Sequence, residues 1–163
     1  MMFLKRGRIY LFLCLLSCHK QAMSSHDFAS ALVQNMNRNH IEDVLHQIPE
    51  KKILDSIMVC TQEGENNLLA AMQKAGEGVE RKQRQFQETF PRVQIMTTNI
   101  SKVQHVPRGQ SQGDCIVSRD FDIVYINVLI QYSDRPVREV YLQLDTLYID
   151  SRYYLLDIHD HDR

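Results

Sequence analysis

From Asp122 to Tyr132 the chain alternates, and the even positions that follow Asp122 are Val124, Ile126, Val128, Ile130 and Tyr132. Successive side chains of a β-strand point to opposite faces, so one face of this strand is wholly apolar. The other face mixes Ile123, Tyr125, Asn127, Leu129 and Gln131. Ser133-Asp134-Arg135-Pro136 then supplies turn formers and a proline that cannot donate to a ladder. A second alternating run places Val140, Leu142, Leu144 and Tyr148 on one side, with Glu139, Gln143 and Asp145 on the other. Asp150-Ser151-Arg152 turns the chain into Tyr153–Ile158, where period two puts Tyr154, Leu156 and Ile158 on a common face. The expected result is an antiparallel meander with one dry side, and a dry side needs a cover.

The cover has to come from upstream, where the period changes. Ser24-Ser25 is an expected N-cap for a helix through about Asn37, with Phe28, Leu32 and Met36 at helical spacing beside Ala31 and Asn35. Ile41, Val44, Leu45 and Ile48 share a face of a second short helix that ends at Pro49. Ile53, Leu54, Ile57 and Met58 line up on a third that opens at Glu50. The longest helix is expected from about Gln62 to Thr89, carrying Leu68, Leu69, Met72, Ala75, Val79, Phe86 and Phe90 every three or four residues. Gly76 and Gly78 interrupt it, as a kink or a point of close approach to the sheet. Glu80–Gln85 reads as a solvated face. Pro91 ends the helix, and Val93–Val106 forms the first long strand. The polar loop Pro107–Asp114 is expected to be a mobile surface excursion. Period two is seen nowhere before residue 92, so the N-terminal half is expected to be all helix.

Helices first and strands afterwards imply an α+β class, with the N-terminal helices packed on one face of a curved four-stranded antiparallel sheet. A chain of 163 residues, 44% hydrophobic and 24% charged, can bury such a core in a single domain. The order of helical half, long strands and the closing strand Tyr153-Tyr154-Leu155-Leu156-Asp157-Ile158 resembles the cystatin-like α+β roll of nuclear-transport-factor-like and ketosteroid-isomerase-like domains. That resemblance implies a concave pocket between sheet and helices. It also implies that Tyr125, Tyr141, Asp145 and Tyr148 are the residues to line the pocket.

The first residues carry an address. Lys5, Arg6 and Arg8 precede Ile9–Leu16, eight residues without a charge, which is the layout of a secretory leader and far short of the ~20 residues of a membrane-spanning helix. Leu15-Leu16-Ser17-Cys18 follows at once and resembles the bacterial lipobox, in which the cysteine becomes a lipidated N-terminus. The alternative reading is an ordinary leader with a chance cysteine. The lipobox reading divides the chain into a signal peptide at 1–17, a tether at 18–25 and one α+β domain at 26–163, held at the membrane through acyl chains on Cys18. Localisation would then be the cell envelope, at the outer membrane in a cell that has one, since His19 stands where the inner-membrane retention signal has Asp. Losing the three basic residues leaves 16 Lys and Arg against 20 Asp and Glu, a surface unsuited to nucleic acid.

Few residues suggest chemistry. Cys60 and Cys115 remain after the leader, either as one disulfide or as two buried thiols. Asp157, His159 and His161 share one side of an extended tail, but a chain terminus is poorly suited to hold a metal. His105 can reach Asp120 or Asp122 from the first long strand, although a surface histidine is the plainer reading. No phosphate-cradling Gly loop, G-x-S-x-G, H-E-x-x-H or paired C-x-x-C occurs, and no catalytic residue, cofactor or metal site is assigned. The expected function is a non-enzymatic, lipid-anchored envelope module that binds a protein partner or a small apolar ligand through its sheet face or pocket. The alternative is a small isomerase- or hydratase-like enzyme using the Tyr/Asp pocket.

Overall fold

A computed structural model describes residues 22–89, 93–132 and 138–160. The leader with Cys18, Phe90 and Pro91, the turn at Ser133–Pro136 and His161 lie outside the described residues. The elements run α1 (Ser25–Asn37), α2 (Ile41–Leu45), α3 (Lys51–Ile57), β1 (Met58–Cys60), α4 (Gln62–Thr89), β2 (Val93–Val106), β3 (Ser111–Gln112), β4 (Cys115–Val117), β5 (Phe121–Tyr132), β6 (Arg138–Ile149) and β7 (Arg152–Asp160).

The class is α+β, and β2-β5-β6-β7 form one antiparallel sheet in that order. Val124 is 3% exposed, and Ile126, Val128 and Ile130 are fully buried. They pack with Leu142, Leu144, Leu155 and Ile158 under α1 and the C-terminal half of α4. Each of these side chains gives about 1.5–3 kcal/mol on leaving water, so the apolar face of β5 dictates where the helices lie. Asp150 and Ser151 both take positive φ, at 50° and 61°, and close the β6–β7 hairpin in two residues between Ile149 and Arg152. Such primed turns match the twist of the flanking strands.

Local chemistry sets the bounds of α1. Ser24 caps it by accepting from the Asp27 N–H at 3.1 Å. Asn39, in the left-handed region at φ 60°, stops it. The buried face holds Phe28, Leu32 and Met36, together with Ala29 and Val33, while Ala31 points to solvent. Helix α4, about 42 Å long at 1.5 Å per residue, serves two clusters. Its C-terminal half inserts Val79 and Phe86 beneath the sheet with α1. Its N-terminal half sends Leu68 and Met72 to a second cluster on the opposite face, made by Leu54, Ile57, Val106, Val117, Phe121, Leu147 and Ile149.

Four expectations change. Strand β1 interrupts the helical half, because three residues are too few to display alternation; it pairs with β4 in a small sheet ordered β1-β4-β3. Tyr154, Leu156 and Ile158 do not share a face. The register shifts between Asp145 and Thr146 make Leu156 an extra residue, so Tyr154 and Leu156 join the second cluster while Leu155 and Ile158 join the first. Within 80–85, Gln83 is only 3% exposed and donates to Asn39 Oδ1 at 2.8 Å, with its own Oε1 unpaired among the described residues. Lys82 is largely covered and meets Asp160 at 2.7 Å. Pro107–Asp114 is exposed, as expected, but it is not an irregular loop: Gly109 N–H donates to Val117, Val117 N–H donates to Gln110, and the segment folds back as the β3–β4 hairpin.

Candidate functional site

The second cluster does not close. Between α3, the N-terminal half of α4, the small sheet and the adjoining end of the large sheet lies a cavity of about 470 Å³. Its floor is Phe121 and Ile123 of β5 with Leu147 of β6, and Leu155 and Leu156 come from β7. Leu68, Ala71, Met72 and Ala75 of α4 form one wall, spaced so that one helical face presents them all. Leu54, Ile57 and Met58 form a second wall, and Gln112, Gly113, Asp114 and Cys115 a third. Asn67, Gln112 and Asp114 are exposed and make the rim polar.

Several short-range bonds hold the third wall. Cys60 and Cys115 are cross-strand partners, Cα atoms 4.0 Å apart, and form a disulfide. The Thr61 N–H donates to the Asp114 carbonyl at 3.0 Å, and the Ser118 N–H to the Ile57 carbonyl at 2.8 Å. Thr61 also caps α4: its Oγ1 accepts from the Gly64 N–H at 3.2 Å and its carbonyl from the Glu65 N–H at 2.9 Å. Gly64 allows α4 to meet the β3–β4 turn, since a Cβ there would fall 2.7 Å from the Asp114 carbonyl oxygen. Gly76 and Gly78, the positions that the sequence singles out, have ordinary neighbours no nearer than 3.9 and 3.8 Å. The close approach in α4 is therefore at its start, where sequence reasoning did not look.

Two ion pairs stand at α3 beside the cavity. Lys51 Nζ meets Asp55 at 2.8 Å, and that hydrogen bond raises the lysine above its ordinary range. Lys52 meets Glu50 at 2.7 Å; their hydrogen bond holds the carboxyl below its usual range and raises the ammonium. Both pairs are exposed.

The expected Tyr/Asp pocket is not assembled. Tyr125 and Asp145 do stand directly opposite each other, but on the face of the sheet turned away from α1. There Lys102 Nζ sits 5.3 Å from the Tyr125 ring, and Asp145 accepts from Gln143 Nε2 at 2.8 Å. Tyr141 shares that face, paired with Leu129, four residues and about 13 Å along the strand from Asp145. Tyr148, an odd number of residues from Asp145, projects to the helix-covered face and packs against Tyr153, with ring centroids 4.6 Å apart and planes tilted by 43°. None of the four lines the cavity. Strand parity separates Tyr148 from the other three, and the cavity, whose floor takes Ile123 and Leu147 from the face of Tyr125 and Asp145, stops short of both.

His105 meets Asp122 Oδ1 at 2.8 Å at an exposed position outside the cavity. In the tail, His159 lies 3.3 Å from Asp145 and 3.7 Å from Asp157, and among the described residues no group of three His, Cys, Asp or Glu could hold a metal ion. No described helix is long and apolar enough to cross a membrane. Compared with family profiles, with curated proteins and with solved structures, the chain finds no match.

Proposed function

We propose that this chain is a lipid-anchored protein of the bacterial cell envelope that acts by binding, taking a small apolar ligand into the cavity between α4 and the small sheet. The cavity carries this reading. Its volume of about 470 Å³ falls within the roughly 300–1,000 Å³ of ligand sites, and apolar walls with a few polar groups at the mouth are what such sites have. A binding role is favoured over isomerase chemistry because no tyrosine lines the cavity and Asp114 on its rim is the single carboxylate there, among the described lining residues. The envelope address rests on the leader, and the Cys60–Cys115 disulfide supports it, since such bonds persist in oxidising compartments.

The test uses the neutral dye N-phenylnaphthylamine, whose emission rises in apolar sites. Saturable binding to the full chain is expected. Ala71→Phe, which places a ring in the cavity from an exposed helix position, should weaken it by about ten-fold, or 1.4 kcal/mol, with helix content unchanged by circular dichroism. Absence of saturable binding, or equal binding by the variant, would remove the cavity as the site.

A further inference from the structure

We infer that the cavity selects a cationic amphiphile, its apolar tail between α4 and the sheet and its ammonium head at the rim. This rests on the ligand-binding reading above and adds the charge of the ligand to it. Among the described residues that line the cavity, Asp114 is the one charged group, and Asn67 and Gln112 are exposed amides able to accept hydrogen bonds from the same head. The β3–β4 turn places Asp114 there through its backbone: its carbonyl accepts the Thr61 N–H at 3.0 Å and packs against Gly64. The carboxylate takes no part in that contact.

The surroundings have the same sign. The wall-forming segments 48–75 and 112–115 hold Glu50, Asp55, Glu63, Glu65 and Asp114 against Lys51, Lys52 and Lys74. Of these lysines, Lys51 and Lys52 are already engaged by Asp55 and Glu50. The positive end of the α4 dipole is offset by Glu63 and Glu65 in its first turn. A carboxylate or sulfate head would therefore meet like charge at the rim and find no lining cation. An ammonium would meet Asp114.

The experiment displaces N-phenylnaphthylamine from the full chain with dodecylammonium, dodecanol and dodecanoate. The three share one tail, so differences between them report the head. Dodecylammonium is expected to displace the dye at the lowest concentration and dodecanoate at the highest. In Asp114→Asn the advantage of the ammonium over the alcohol should shrink by about five-fold, the size of one exposed ion pair, and Asp114→Glu should retain it. Dodecanoate equalling or surpassing the ammonium, or an unchanged advantage in Asp114→Asn, overturns the inference and leaves the ligand-binding reading standing. Failure of the dye itself to bind removes that reading, and this one with it.

Discussion

Cys60 and Cys115 lie 55 residues apart in sequence and directly opposite each other on β1 and β4, joined by a disulfide that forms part of a cavity wall. Closing a loop of that length removes unfolded-state entropy equivalent to about 4 kcal/mol in the chain-entropy picture. Replacing both cysteines by serine should lower the urea midpoint accordingly and weaken dye binding. A double variant as stable as the wild type would show that the bond adds nothing to the fold.

Two glycines of α4 should respond in opposite directions. Gly64→Ala brings a methyl to within 2.7 Å of the Asp114 backbone oxygen, which cannot rotate away, and should destabilise by about 1–3 kcal/mol. Gly76→Ala meets only Leu45 Cδ2 at 3.9 Å and should stabilise by up to about 1 kcal/mol through helix propensity. Urea unfolding of the two variants reads both signs, and matching signs would contradict this account of the helix.

Burial, and then the neighbouring Tyr148, push the Tyr153 phenol above its ordinary value of about 10. A folded-state pKa above the unfolded one means that the unfolded chain loses this proton first. Stability from this group is therefore intact below about pH 10 and lost as pH rises beyond it. Tyr153→Phe should flatten the alkaline fall in the urea midpoint between about pH 9 and 11. An unaltered slope would place the alkaline sensitivity elsewhere.

The leader makes a separate prediction about Cys18. Radiolabelled palmitate should enter the wild-type chain and not Cys18→Ala, because the thiol is the acceptor in the lipobox reading. Equal labelling of the two would end that reading and leave the cavity argument untouched.

The period-two run Val124–Tyr132 required a buried face, and the structure buries it under α1 and α4. The bounds of α4, Gln62–Thr89, and the β6–β7 turn at Asp150-Ser151 were also legible, because helix periodicity and turn chemistry are written in neighbouring residues. The Tyr/Asp grouping failed for a reason partly written in the sequence: alternation already put Tyr148 and Asp145 on opposite sides of β6, and only the position of the cavity had to come from the tertiary structure. Tertiary structure alone decided the extra residue Leu156, which flips the end of β7. It alone decided the pairing of a three-residue strand, and the contact of Gly64 with Asp114. These depend on atoms that are remote in sequence meeting at a few ångströms, and residue spacing carries no record of such distances. The cavity belongs to that second group: its lining comes from eight elements, and each looks like ordinary core until they are brought together and fail to fill the space.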